Sequence, residues 1–345
     1  MSGVEERKQR ILQAIIDDYV LTAMPVGSRT ISRKYLSHLS SATIRNEMSD
    51  LTEQGFLSQP HVSAGRVPSA RAYRLYVDLL EEEQIKPLKN AREINRAYFS
   101  QVSHLEGLVR SAAQALADIT GYASFVMLPR QGELRVTALQ LVPVSTGLAL
   151  LVIVTDGGII RDAMVQVSEQ LDADALYAIS RMLTERFSGA TLGQVQSALT
   201  EFADKAPGDP MVLQSIMELA SRMDSQTAQD SLTISGTHNI LGFPEYQDAM
   251  KARRLLSALE DRERLLELIR GLDGRELTVR IGPESGIPEM RECSIALAQY
   301  RLGRGQRGTI GLIGPTRMPY GRVFGTLRLV SRAMSDALVS RQAAH

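Results

Sequence analysis

Residues Leu39 to Phe56 read LSSATIRNEMSDLTEQGF. The stretch carries the marks of one helix. Ser40 or Ser41 can cap its first open amides, and Gly55 supplies a stop. On a helical wheel, Ile44, Met48 and Leu51 fall within about 60° of one another and make an apolar stripe. Ala42, Arg45, Asn46, Ser49 and Glu53 occupy the opposite arc. The N-terminal half of that arc is small, polar and cationic, while Asp50 and Glu53 sit toward its C-terminal end.

The flanks give this helix a setting. Upstream, Ile11, Leu12, Ile15, Ile16 and Tyr19 recur at helical spacing. PVGSRTISRKY (25–35) follows, with Ser28 as the expected N-cap of a short second helix. Downstream, GFLSQPHVSAGRVPSARAYRLYVDLL (55–80) has two short extended pieces around a loop with Gly65 and Pro68, then a helix from Tyr73. Three helices and a small hairpin within 80 residues predict a winged helix.

That setting gives the outward arc a chemistry. A recognition helix presents its N-terminal residues to the major groove. Arg bonds guanine O6 and N7 there, and Asn bonds adenine N6 and N7. Ser and Thr hydroxyls suit phosphates as well as bases, and Ala lets the backbone approach closely. The candidate readers are therefore Ser41, Ala42, Thr43, Arg45, Asn46 and Ser49. Candidate wing and backbone contacts are Ser28, Arg29, Lys34, His61, Ser63, Gly65, Arg66 and Arg71. From Gly27 to Arg74 there are seven Lys/Arg and three acids, a local net of +4 that favours phosphates. A polar helix face can also be plain solvated surface. The two preceding helices and the following hairpin favour DNA. On the hairpin, His61 has an ordinary surface position as its alternative, and Arg66, beside Gly65, is the stronger candidate.

Global composition points nowhere in particular. The 345 residues are 44% hydrophobic, with 39 Lys/Arg balanced by 39 Asp/Glu. That length suggests two or three domains. One cysteine, Cys293, excludes an internal disulfide, and with five scattered His it excludes a thiolate zinc site. The first twenty residues, MSGVEERKQRILQAIIDDYV, lack the apolar core of a signal peptide. Apolar runs such as TGLALLVIVTDGG fall well short of the ~20 residues that span a bilayer. A soluble cytoplasmic chain with no membrane partner is expected.

Residues 70–120 read as charged, Ala-rich helices. From Ala123 the segments ASFVMLP, LRVTALQLVPV, LALLVIVTD and IIRDAMVQV are β-rich. Helical pattern returns from Asp172 to about Met223, broken by KAPGDP (205–210). A polar stretch, DSLTISGTHNILGFPEY, precedes a long charged helix over 246–272. Strands resume in ELTVRIG, CSIALAQYRLG and RGTIGLIGPTRM, and a helix closes the chain over 320–340. Strands on both sides of a helical block predict one α+β domain interrupted by an insertion, with two separate β-containing domains as the alternative.

Enzymatic signals are wanting. GTIGLIGPTRMPYGR lacks the Gly-Lys-Ser/Thr ending of a phosphate loop. Thr316, Arg317, Tyr320 and Arg322 could frame an anion, but a turn before the closing helix is the plainer reading. His238 and Asn239 have no partners at metal spacing. Cys293 opens an apolar strand and reads as a buried small hydrophobe. There is no Gly-x-Ser-x-Gly elbow and no paired-carboxylate motif. No cofactor or metal is expected.

PVGSRTIS, LSSATIRNEMSDLTEQGFLSQPHVSAGRVPS and YRLYVD closely resemble the N-terminal signature of the HrcA family of bacterial heat-inducible transcription repressors. CSIALAQYRLGRGQRGTIGLIGPTRMPYGRV (293–323) resembles that family's C-terminal signature. The resemblance implies an α+β multidomain chain: a winged helix at 1–80, connecting helices at 81–120, a GAF-like domain at 121–168 and 246–345, and a mainly helical inserted dimerising domain at 169–245. It implies a homodimeric repressor of chaperone operons that binds double-stranded DNA at an inverted-repeat operator, with a GroE-type chaperonin as partner. By position, Ser41, Thr43, Arg45 and Asn46 match the family's recognition helix, and His61, Ser63, Gly65 and Arg66 its wing. Val62 departs from a small hydroxyl residue, and Arg71-Ala72 from Lys-Gly. The alternative function is a winged-helix regulator that senses a small effector in the GAF-like domain.

Overall fold

The structure, a computed structural model, describes residues 6–87, 89–100, 102, 105–128, 135–155, 160–191, 193–195, 197–198, 232–271, 276–303 and 306–342. The KAPGDP break and the helix expected to reach Met223 lie outside these residues.

The N-terminal unit starts with α1 (Glu6–Thr22), which buries Ile11, Leu12, Ile15 and Ile16 as their spacing requires. Next come α2 (Ser28–Lys34) and α3 (Ser41–Glu53). Ser40 caps α3, its Oγ accepting from the Thr43 amide at 3.1 Å. Ser28 does not cap α2; Gly27 holds the cap position without a side-chain bond, and Ser28 is the buried first residue of the helix. Gly55 turns the chain out of α3 at φ +77°, where a side chain would be strained. Strands β1 (Leu57–Ser58) and β2 (Val67–Pro68) pair antiparallel, and a bridge between Val26 and Arg66 adds a third piece. Then α4 (Ala70–Asp78) follows, capped by Ser69 and so starting three residues before the expected Tyr73.

A short α5 (Ala91–Ile94) leads to α6 (Leu105–Thr120). The largest sheet has five antiparallel strands in the order β7-β3-β10-β9-β8: β3 (Ala123–Met127), β7 (Leu232–Ser235), β8 (Leu277–Ile281), β9 (Cys293–Gly303) and β10 (Gln306–Pro315). One face packs on α6 and the closing helix α10 (Tyr320–Gln342). The other packs on α8 (Ala249–Glu260) and α9 (Arg262–Arg270). The single helix expected over 246–272 is thus two, divided at Asp261, whose carboxylate caps the second by accepting from the Arg264 amide at 3.2 Å.

The glycines of RGTIGLIGP belong to a strand. A Cβ on Gly308 or Gly311 would lie 2.2 Å from the ring of Tyr300 or Phe125, and one on Gly314 2.5 Å from the ring of Tyr122. Tyr300 and Phe125 are the direct cross-strand partners of Gly308 and Gly311. Glycine here makes room for a neighbouring ring.

Strands β4 (Val136–Ser145), β5 (Leu148–Thr155) and β6 (Ile160–Gln166) form a separate antiparallel sheet. With α7 (Ala173–Phe187) they enclose a core of their own that includes Leu139, Leu151, Ile153, Leu176, Leu183 and Phe187. The sequence reading that kept all of 121–168 with the C-terminal strands therefore needs correction: only β3 joins the five-stranded sheet. β7, inside the block read as insert, joins it too. The alternation in β5 buries Ala149, Leu151 and Ile153 on one face. Such a pattern fixes a buried face but not which sheet the strand enters. Two hydroxyls of α7 serve β4: Ser180 Oγ accepts from the Leu141 amide at 2.8 Å, and Thr184 Oγ1 from the Leu139 amide at 2.9 Å.

The N-terminal unit and the five-stranded sheet share one continuous core, which runs from Ile11 and Ile44 through Tyr73 to Tyr320 and Leu327. The rings of Tyr73 and Tyr320 meet at 6.1 Å across the junction.

Candidate nucleic-acid interface

The back of α3 fixes its front. Ile44 and Leu51 are fully buried and Met48 nearly so. Glu47, also buried, accepts from Arg7 Nε at 2.8 Å, and Asp50 pairs with Lys8 Nζ at 2.9 Å. Both bases come from α1. Two of the three acids of the segment are thereby neutralised against a neighbouring helix. The exposed Glu53 has no ion-pair partner among the described residues.

The front is open. Ala42, Arg45, Asn46 and Ser49 are exposed, and Ser41 and Thr43 partly so. Among the described residues the side chains of Arg45, Asn46 and Ser49 make no hydrogen bond or ion pair. Thr43 Oγ1 lies 2.9 Å from Ser40 Oγ within the cap. An unengaged guanidinium beside an unengaged carboxamide, on a rigid helix, is ready for planar acceptors such as base edges.

The hairpin tip is preset by Gln59, which the sequence reading missed. Its Nε2 donates to the carbonyls of Val62 at 2.7 Å and Ala64 at 3.1 Å, and the Ala64 amide bonds the His61 carbonyl at 2.9 Å. His61, Val62 and Ser63 are exposed around this turn, Val62 at 99%. Nothing in composition or spacing marks a Gln for that task. The Val26–Arg66 bridge ties the start of α2 to the hairpin root through backbone bonds of 2.9 and 2.8 Å. Gly65 permits it, since a Cβ there would sit 2.4 Å from the Val26 carbonyl oxygen.

Several candidate cations are engaged elsewhere. Arg66 Nε donates to Thr52 Oγ1 at 3.0 Å, joining the hairpin to the last turn of α3. Arg71 Nη1 donates to the Gln54 carbonyl at 2.9 Å and its Cζ lies 4.6 Å over the Phe56 ring, so it closes the C-terminal end of α3. Lys34 Nζ pairs at 3.0 Å with the buried Asp18, which Tyr35 OH also approaches at 3.3 Å. Ser28 is buried. Among the described residues, the candidates whose polar side chains are exposed and unengaged are fewer than the sequence implies: Arg29, Arg45, Asn46, Ser49, His61 and Ser63, beside the exposed Ala42, and the structure adds the exposed Arg33.

The other motifs resolve as structure. Arg317 forks onto Glu245, and Tyr320 OH lies 2.7 Å from both Ser294 Oγ and the Thr316 carbonyl, so Arg317 and Tyr320 are engaged within the fold. Asn239 Nδ2 donates to the carbonyl of Tyr122 at 3.2 Å. Cys293 is buried against Tyr246 OH at 2.9 Å, and burial above all pushes its thiol up to about 12. No helix among the described residues is long and apolar enough to cross a membrane.

Comparison with known proteins gives a consistent set. Residues 106–324 match the family model described as HrcA protein C terminal domain. A protein of Ruminiclostridium cellulolyticum is 38% identical over 350 residues, covering 97% of this chain and 98% of its own. One of Acetivibrio thermocellus is 36% identical, covering 96% of each chain. Both bear the name heat-inducible transcription repressor HrcA. Among solved structures, one described only as a hypothetical protein superposes with a TM-score of 0.67 at 23% identity, covering 98% of this chain and 99% of that one.

Proposed function

The chain belongs to the HrcA family, a family of transcription repressors and not of enzymes, and on that premise we propose that it represses heat-shock chaperone operons by binding an inverted-repeat operator as a homodimer. Residues 1–80 act as a winged helix, with α3 in the major groove and the hairpin of β1 and β2 as the wing. The observation that carries this reading is the open face of Arg45, Asn46 and Ser49 on a helix whose acids Glu47 and Asp50 are paired behind it. Arg45 reads guanine and Asn46 a base or phosphate. Arg29 and Arg33 at α2, with Ser63 at the wing, take phosphates.

The five-stranded sheet with α6, α8, α9 and α10 is the GAF-like unit, and the three-stranded sheet with α7 opens the inserted dimerising unit. The outer face of that small sheet supports the dimer. Val142, Leu150 and Met164 lie in one cross-strand row, and Val154 and Ile160 in another. Val142, Ile160 and Met164 are among the exposed large hydrophobics. A second copy is the natural cover for an apolar sheet face, and two-fold symmetry then presents two winged helices to two half-sites.

The alternative is an effector site within the GAF-like unit; Tyr300, Phe125 and Tyr122 fill the space over the β10 glycines, so the glycines themselves leave no room for a ligand there. Dependence on a GroE-type chaperonin, and action in the cytoplasm, follow from the family resemblance. The direct test is a footprint on the organism's own chaperonin promoter, with and without chaperonin. A protected inverted repeat that sharpens with chaperonin supports the proposal. Equal protection along the whole fragment refutes it.

A further inference from the structure

The N-terminal unit does not hang on a free linker. Three clamps, besides the Tyr73–Tyr320 contact, hold it to the sheet body. Arg317, in the turn after β10, forks onto Glu245, with Nη2 3.2 Å from Oε2, and Nη1 donates to the Val20 carbonyl of α1 at 3.0 Å. Its side chain is only 11% exposed, and its Cζ lies 5.8 Å over Phe243, which stacks on Tyr122. Arg74 of α4 forks onto Glu284 and donates to the Val279 carbonyl at 2.8 Å. The third clamp is the linker itself, laid across α10 where Gly321 and Gly325 face it. A Cβ on Gly321 would lie 2.4 Å from the Gln84 carbonyl oxygen, and one on Gly325 2.3 Å from the Lys86 carbonyl carbon. One turn on, Arg328 pairs with Glu82 at 2.6 Å.

We infer that Arg317 is a positioning residue for operator reading: by fixing the angle of the winged helix on the body, its clamp sets the half-site spacing that the dimer accepts. This presupposes the dimeric DNA-binding reading above. Arg317 touches the far end of α1 and not α3, so it has no route to a base. A dimer can engage both half-sites only when its two recognition helices sit at a matching separation and phase. A rigid joint rewards one spacing. A loose joint accepts several, at a lower effective concentration for each second contact.

The experiment uses full-length Arg317→Ala, Arg317→Lys and Glu284→Gln beside wild type. Each is titrated against duplexes with identical half-sites and spacers stepped through about 5 bp, half a helical turn, and against a single half-site. Wild type should lose at least about 100-fold between its best and its half-turn-shifted duplex, within the span that bivalency contributes. Arg317→Ala should reduce that discrimination below about fivefold, with half-site affinity kept within about twofold, since only the bivalent contribution is lost. Arg317→Lys keeps the charge but not the fork, and should fall between. Glu284→Gln, at the more exposed second clamp, gives the same direction should Arg317→Ala not fold by thermal melting. An unchanged spacing profile in the folded variants, or an equal loss on the single half-site, overturns the inference. Wild type that does not distinguish operator from random DNA instead overturns the function proposed above.

Discussion

Replacing Arg45 with Ala separates recognition from stability. The guanidinium is exposed and has no partner among the described residues, so its loss leaves no buried group unsatisfied. Alanine is also the better helix former. The variant should melt within about 0.5 kcal/mol of wild type, as surface substitutions do. Operator binding should change far more. A bidentate Arg–guanine pair discriminates by about 1–3 kcal/mol, and the proposed dimer presents it twice. The combined loss is about 2–6 kcal/mol, or roughly 30-fold to 20,000-fold at 25 °C at 1.4 kcal/mol per decade. The assay is an anisotropy titration of labelled operator and of a scrambled duplex of equal length, at one salt concentration. The scrambled duplex should weaken only by the loss of one cation per protomer. Equal losses on both duplexes would make Arg45 a phosphate contact. No loss on either would mean that the open face of α3 does not meet DNA.

Lys34→Ala should act on stability, because among the described residues it leaves the buried Asp18 carboxylate with only Tyr35 OH; a cost of about 1.5–3 kcal/mol is expected for a hydrogen bond to a charged group, toward the lower end since Lys34 is itself 58% exposed. Adding Asp18→Asn should recover part of it in urea melts, and additive losses would exclude the pairing. Arg29→Ala should instead leave melting unchanged and flatten the salt dependence on every sequence, since Arg29 is exposed and unpaired among the described residues. Gly311→Ala drives a methyl into the Phe125 ring and should destabilise by about 1–3 kcal/mol, as overpacking does; paired with Phe125→Leu it should cost less than the sum of the two. Cys293 should resist thiol reagents at pH 8 and react once denaturant is added, because burial holds its thiol up at about 12. An unfolded thiol ionises near 9.0, so this group's contribution to stability is complete below that pH and is lost as pH rises toward about 12. Urea midpoints at pH 8 and pH 10.5 should fall in that order.

The face of α3 was legible because a 3.6-residue period puts Ile44, Met48 and Leu51 on one side whatever they pack against. The partners of the basic residues were not. Lys34 and Asp18 are sixteen residues apart, and Arg66 and Thr52 fourteen. Such pairs arise only when helices and hairpin come together, and an unpaired Arg29 reads no differently from a paired Arg71. The strands from 123 to 166 were legible as strands, yet their split between two sheets was not, because alternation is the same in either. The short polar β7 gave too little apolar signal to be seen as a strand. The β10 glycines were visible as a motif, but their reason lies in rings supplied by β3 and β9. Family membership was legible from the terminal signatures; the clamps at Arg317, Arg74 and the linker were not, since they join residues up to 297 positions apart.

The central claim is that two copies of the α3 and wing surface read an inverted repeat. Because Cys293 is buried and is the only cysteine, Ser63→Cys at the exposed hairpin tip offers a unique handle for a DNA-cleaving label. On operator DNA the labelled protein should cut at two positions related by the two-fold axis of the repeat. Tight binding with no cleavage, or with a single unsymmetric cut, would contradict the account.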